Sequence, residues 1–411
     1  MAFPRRARRL WAYWRAEQRT LRQGFVALLL GTVAALVAGV ALASITHTLQ
    51  ELPGLFILIP AAIGMRGTVF GAIGARLGTS THAGLFEVTR ERTGVLYQNA
   101  YVGIVLTLSA SLYLALLAKG SAAIFGLDSI DLLDLVTISV VGGALDSAVI
   151  LCVTIGLSVL SYRRGYDLDA VATPLITAVA DMITIPMLFV ATFLVRVHWL
   201  STGIAVVAIF VCIEAAYRGL TSDLPLARRA IVEMVGVVLL TPLLDILAGT
   251  VLETRLSRFE TFPGLLVLVP PFVANAGAIG GVLSSRLSSK LQLGLITPRG
   301  MPEPPALLDG SLSVGFGVFA FASIGALGLG YSALAGAAHP GPDVMVWGTL
   351  LAGMVATALA IVVAYYVAVA TARFGLDPDN HGVPIITSVM DLAGVAALLF
   401  VLSLFGVSAH G

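Results

Sequence analysis

Four aspartates interrupt otherwise apolar stretches of this 411-residue chain: Asp146, Asp181, Asp245 and Asp391. An ionisable group surrounded by apolar residues costs at least a few kcal/mol unless it meets a partner or a water-filled cavity, so each is a candidate functional group. Asp181 and Asp391 are set alike. Each follows a proline by seven residues (Pro174, Pro384) and a threonine by four (Thr177, Thr387). Proline suits the first turn of a helix, and seven residues later the carboxylate lies on the same face, about 10 Å deeper. Two carboxylates meeting on one pathway would suit a hydrated divalent cation. Mg²⁺ sheds its waters reluctantly, so carboxylates and hydroxyls that grip its hydration shell would select it. Asp167 and Asp377, with Asp169 and Asp379 beside them, precede each proline, where a cation-attracting mouth and a plain solvated loop are both open readings. The candidate metal set is therefore Asp181, Asp391, Thr177, Thr387, Asp167 and Asp377. Asp146 and Asp245 have alanine at the equivalent positions, Ala356 and Ala35, and mark either a coupling-ion site or a buried polar pair.

Composition sets the solvent for these groups. The chain is 58% hydrophobic and only 11% charged, with a mean hydropathy of +0.97, against roughly a quarter charged in a soluble domain. This is a polytopic membrane protein, and nucleic acid is excluded as a partner. Eleven stretches are long enough to cross a bilayer, near 24–47, 53–75, 95–118, 135–162, 170–195, 200–218, 231–252, 262–285, 311–333, 344–373 and 383–406. The opening "MAFPRRARRLWAYWRAEQRTLRQG" reads as a basic cytoplasmic tail that lies on the membrane surface. Lysine and arginine then collect in alternate loops, which places the N-terminus in the cytoplasm and the C-terminus outside. Cys152 and Cys212 read as small buried hydrophobes.

The chain repeats itself. Asp167, Pro174 and Asp181 recur as Asp377, Pro384 and Asp391, and Pro60, Gly67, Gly71 and Arg76 recur as Pro270, Gly277, Gly281 and Arg286. Every pair is 210 residues apart, as from 181 to 391. The expected organisation is a tail over 1–23, a first membrane repeat over 24–197, a linker helix and loop over 198–229 and a second repeat over 230–411. Five spans per repeat would invert the second copy; the extra span restores it. The expected fold is all-α, with two parallel five-helix repeats about a pseudo-two-fold along the membrane normal. One chain would then be sufficient, as a pseudo-dimer. The second span of each repeat is crowded with small residues, as in "GMRGTVFGAIGAR" (Gly64 to Arg76). Such a segment permits close helix approach or a broken helix beside a cavity. Gly64, Arg66, Gly67, Thr68, Asn275 and Gly277 are the candidate pathway lining.

The glycine-rich second span together with "GLDPDNHGVPIITSVMD" (Gly375 to Asp391) resembles the membrane domain of the MgtE-type magnesium transporter and channel family. The tandem arrangement is similar to its eukaryotic solute-carrier relatives. The resemblance covers about 24 to 407. It implies that the acid ending each Asp, Pro, Asp series sits in the pore, which transfers to Asp181 and Asp391. Thr68 and Ala278 stand where the family usually has asparagine. The resemblance implies transport of a divalent cation, most readily Mg²⁺, with no cofactor beyond the transported ion. A passive pathway and a Na⁺- or H⁺-coupled exchanger remain alternatives. An intramembrane aspartyl protease is the remote rival, since its Gly-x-Gly-Asp motif is missing around Asp181 and Asp391; otherwise no enzymatic chemistry is expected.

Overall fold

The computed structural model describes residues 5–82, 86–89, 91–164, 168–255, 259, 261–375 and 382–406, with side chains described for these except 5–10, 19, 20, 79, 82, 161, 164 and 168–175. Among them the chain is helix and connecting loop, without a strand. The order is α1 (Arg5–Ala16), α2 (Gln18–Ser44), α3 (Thr46–Glu51), α4 (Leu55–His82), α5 (Val95–Phe125), α6 (Leu132–Arg164), α7 (Leu168–Val195) and α8 (His198–Leu220). It continues with α9 (Pro225–Glu253), α10 (Pro263–Leu266), α11 (Val269–Gln292), α12 (Pro304–Ala335), α13 (Thr349–Phe374) behind a π turn at Val344–Gly348, and α14 (Val383–Leu404). Eleven of these segments are long and apolar enough to span a membrane, one for each expected stretch. Their ends differ by a few residues. Pro304 opens α12 seven residues before the expected 311, because proline and an extended Glu303 start a helix ahead of its apolar run.

The helices gather into two compact units, one of Met1–Gly39 with Arg258–Gly411, the other of Val40–Ser257. Packing therefore cuts the chain differently from the repeat in its sequence. The first helix of each repeat lies against the second helix of the other. In one unit α9 packs on α4 and α5, where Tyr113 Oη donates to the Leu239 carbonyl at 2.8 Å and Ser121 and Thr250 share a 2.7 Å hydroxyl bond. Glu253 at the end of α9 accepts from the Gly54 N–H at 3.1 Å, just before α4 begins. In the other unit α2 takes the equivalent place. The crossings that fix both contacts leave no room for a side chain. A Cβ at Gly249 would sit 2.2 Å from the Ile57 carbonyl oxygen, and one at Gly39 would sit 2.2 Å from that of Val267. Both the glycines and the carbonyls are repeat mates.

Small residues serve the same end elsewhere. The equivalent Gly126 and Gly336 close α5 and α12 at φ +66° and +64°, the left-handed conformation of a helix C-cap. Linker helix α8 packs on α5 and α6, tied by Ser201 Oγ to Asp134 at 2.5 Å and by Thr137 Oγ1 to the Ser201 carbonyl at 2.9 Å. One expectation is corrected. Cys212 is buried but Cys152 is exposed on α6, because an apolar stretch suits a lipid-facing side as well as a packed one.

Gly39→Leu and Gly249→Leu should each abolish accumulation of monodisperse protein in detergent. Gly31→Ala and Gly236→Ala, where an added Cβ meets nothing within 4 Å, should be neutral or stabilise by up to about 1 kcal/mol through helix propensity. Size-exclusion chromatography of all four variants and thermal unfolding of the two alanine variants check this.

Candidate functional site

The glycine-rich helices bring together residues that the sequence pairs only by type. In one unit α4 packs along α7, and a Cβ at Gly67 would lie 3.6 Å from Thr177 Cγ2, with one at Gly71 3.9 Å from Thr177 Oγ1. In the other unit α11 packs along α14, and a Cβ at Gly277 would lie 3.3 Å from Thr387 Cγ2. The same glycine thus seats the same threonine twice. Asp181 and Asp391 follow one turn later, both half-buried. Gly64, Gly67 and Thr68 form a half-buried stripe along α4, at the i, i+3, i+4 spacing of one helix face.

Arg66 faces the other way. It is fully buried, and its Nε donates to Asp146 Oδ1 at 2.9 Å and Oδ2 at 3.1 Å. Its Nη2 donates to Ser111 Oγ at 3.0 Å. Ser147 Oγ donates to Asp146 Oδ1 at 2.9 Å, and Ser139 Oγ donates to the Ser111 carbonyl at 2.6 Å. Arg66 Nη1 and the Thr107 hydroxyl, one turn before Ser111, are buried and lack a hydrogen-bonding partner among the described residues. Space for the guanidinium comes from Gly143, where a Cβ would lie 2.1 Å from Arg66 Nη2. The expectation that Arg66 lines a route thus meets a guanidinium committed to Asp146. The other unit solves the same volume without charge. Ala276, Ala356 and Phe321 replace Arg66, Asp146 and Ser111, and Phe321 fills the gap over Gly353, packed on Phe272 with centroids 4.7 Å apart and the rings tilted by 46°.

Asn275 is likewise buried, its amide donating to Thr32 Oγ1 at 3.0 Å and the Pro271 carbonyl at 2.8 Å, so it holds α2 on α11. Gly277 is buried against Thr387. Asp245 is buried on α9. Asp167 and Asp377 lie outside the described residues. Among the described residues no group of three or more His, Cys, Asp or Glu side chains gathers that could hold a metal.

A family model described as MgtE, divalent cation transporter, matches residues 59–191 and again 269–401, the same 210 residues apart. The chain belongs to the MgtE family. Curated proteins similar to it include solute carrier family 41 member 3 of Rattus norvegicus, 24% identical over 92% of this chain and 86% of its own length. The Mus musculus member 3 is 25% identical over 85% of this chain and 75% of its own. Solute carrier family 41 member 2 of Xenopus laevis is 24% identical over 90% and 68%. No solved structure matches. This MgtE-family chain is thus a multi-pass membrane transporter and not an enzyme. Both matched regions contain the Gly, Thr and Asp positions described above.

Within this MgtE repeat, the Arg66–Asp146 partnership was legible without coordinates. Both charges vanish together in the second copy, as Ala276 and Ala356, while Ser111 becomes the bulky Phe321. Joint loss of opposite charges with a compensating gain in volume marks a contact. Arg66→Ala should destabilise by about 3–5 kcal/mol, because it leaves Asp146 buried without its counter-charge. Copying the second repeat by Ala62→Phe, Arg66→Ala, Ser111→Phe and Asp146→Ala together should recover most of that loss in thermal unfolding. A single Arg66→Ala variant that melts with the wild type would deny the pair a stabilising role.

Proposed function

We propose that this transporter moves Mg²⁺ along one pathway to which both repeats contribute a carboxylate, Asp181 from the first and Asp391 from the second. The observation that carries the reading is the doubled arrangement of glycine, threonine and aspartate. Gly67 against Thr177 and Gly277 against Thr387 are equivalent packing contacts, and each places an acid one turn further along a membrane-spanning helix. Membership of a divalent cation transporter family supports a doubly charged cargo. Paired carboxylates and hydroxyls favour a cation that keeps part of its water shell, which is the behaviour of Mg²⁺. Gly64, Gly67, Thr68 and Gly277 then line the pathway beside Thr177 and Thr387, and Asp167 and Asp377 attract cations at its mouth. The fused repeats make one chain sufficient.

A second reading, exchange of Mg²⁺ against Na⁺ or H⁺, draws on Asp245, a buried carboxylate whose repeat mate is Ala35. Asp146 is less suited to a coupling ion, because that ion would have to displace a guanidinium.

Asp181→Asn and Asp391→Asn keep shape and hydrogen-bonding capacity while removing one charge. Each should lower Mg²⁺ flux into vesicles at least tenfold, and the double variant should lose its preference for divalent over monovalent cations. A folded double variant with wild-type flux and selectivity would remove both acids from the pathway. Running the same assay with and without an opposing Na⁺ gradient separates the two readings.

For orientation, the loop charges place the N-terminus in the cytoplasm. Cysteines introduced at Asp128 and His339 should react with an impermeant thiol reagent from outside, in a chain with Cys152 and Cys212 replaced by alanine. Cysteines at Glu91 and Arg299 should not. Outside labelling at those two positions would reverse the assignment.

A further inference from the structure

The N-terminal helix carries five arginines and no acid in twelve residues, Arg5–Ala16, with Arg19 just ahead of the apolar span that begins at Leu21 and Arg22 at its start. It is not a loose tail. Tyr13 Oη donates to Asp309 Oδ1 at 2.5 Å, Trp14 Nε1 donates to Ser311 Oγ at 3.0 Å, and Glu17 pairs with Arg286 at 3.3 Å. Arg286 and Lys290 on α11 complete the cluster around the buried Asp309 carboxylate, at 2.9 and 2.5 Å. Burial and the neighbouring Asp309 push the Tyr13 phenol well above its usual range, so it remains a donor. One side of α1 is thereby locked to α11 and α12.

Helical hydrogen bonding runs on through the junction, from the Glu17 N–H to the Tyr13 carbonyl at 3.0 Å and from the Leu21 N–H to the Glu17 carbonyl at 2.9 Å. Trp11, Arg15 and Arg22 therefore share a second side, since four and eleven residues are about one and three turns. That side is open. Trp11 is 57% exposed, the Arg15 guanidinium lies 3.5 Å over its ring, and Arg15 and Arg22 are exposed. The nearest acid along the chain, Glu17, is already spent on Arg286. We propose that this face, Trp11, Arg15 and Arg22, is a docking surface for an anionic phospholipid, with the indole at headgroup depth and the guanidinium groups on the phosphate.

Two observations favour lipid over a soluble acidic partner. Trp11 and Arg15 lie just ahead of the apolar span that begins at Leu21, and Arg22 at its start, the flank where aromatic and basic residues collect at membrane interfaces and cationic side chains meet acidic lipid. The device also occurs once. Ahead of the second repeat the equivalent residues 215–226 read "AAYRGLTSDLPL", and Asn99 and Ser80 stand where Asp309 and Lys290 would be needed. Because the other side of the helix is fixed on α11 and α12, lipid bound here grips the unit that carries Gly277 and Thr387.

The full chain should be reconstituted in phosphatidylcholine vesicles containing a fixed share of brominated phosphatidylglycerol or brominated phosphatidylcholine, and tryptophan quenching recorded without Mg²⁺. Phosphatidylglycerol should quench more strongly, and the excess should vanish in Trp11→Phe, which keeps Trp14, Trp199 and Trp347. Arg15→Gln with Arg22→Gln should weaken the apparent phosphatidylglycerol affinity roughly thirtyfold, the value of two interfacial arginines. Soluble glycerol phosphate should not compete. Equal quenching by the two lipids, an unaltered double-arginine variant, or full competition by glycerol phosphate would overturn the proposal. The readout is independent of transport, so a failed Mg²⁺ assay and a failed lipid site remain distinct results.

Discussion

The rest of this structure depends on two backbone contacts that exclude a side chain, Gly39 on the Val267 carbonyl and Gly249 on the Ile57 carbonyl. In lipid there is no hydrophobic force to press helices together, so association rests on close van der Waals approach and a few hydrogen bonds. A helix that meets another at glycine reaches distances that favour both. The consequence is topological. Each compact unit takes its first helix from the other sequence repeat, and the covalent chain runs between units at 39/40 and at 257/258. Neither repeat packs as a self-contained block of five helices.

The same economy of small residues operates one layer further in. Gly67 and Gly277 allow α7 and α14 to lie close enough that Thr177 and Thr387 face bare backbone. At Gly277 an added Cβ would already crowd Thr387 at 3.3 Å, whereas at Gly67 it would reach Thr177 at an ordinary contact distance of 3.6 Å. What differs between copies is how the glycine-rich helix is held from behind. In one copy a buried ion pair does it, with Arg66 Nη1 left without a partner among the described residues; in the other, two phenylalanines packed at a tilt do it. Charge burial costs more than aromatic packing at similar volume, since desolvation of both ions must be offset by their attraction and remaining hydrogen bonds. The aromatic solution shows that the fold does not require the ions.

Hydropathy alone located all eleven spans, because bilayer thickness imposes a length that no soluble helix must meet. The constant offset exposed the repeat, and the family match restates it. The exchange of first helices was not legible. Equivalence at 210 residues pairs Gly39 with Gly249 but does not reveal which copy each one touches. Which side of a helix faces lipid was equally hidden, as Cys152 shows, since lipid and packed interior accept the same residues. Arg66 and Asn275 were grouped with the route because they are polar in an apolar span. For Arg66 the joint loss of both charges as Ala276 and Ala356 signals the bond to Asp146; for Asn275 the bond to Thr32 depends on a neighbour from the exchanged α2, which no sequence pattern reveals.

Fusion of two copies in one chain explains where the asymmetry could arise. In a homodimer of single-repeat chains symmetry forces every substitution to appear twice, so a buried arginine carries its desolvation cost in both halves. A tandem chain is free to place it once. The differences found here fall in distinct places: the Arg66–Asp146 pair behind α4 in one unit, and the Tyr13–Asp309–Arg286 lock that holds α1 in the other. Neither replaces any member of the Gly67–Thr177–Asp181 or Gly277–Thr387–Asp391 series. Divergence has thus touched groups that hold and anchor the helices, and positions such as Thr68/Ala278 and Asp245/Ala35, while leaving the glycine, threonine and aspartate of each series in place, so that each unit keeps the same set on its own supports.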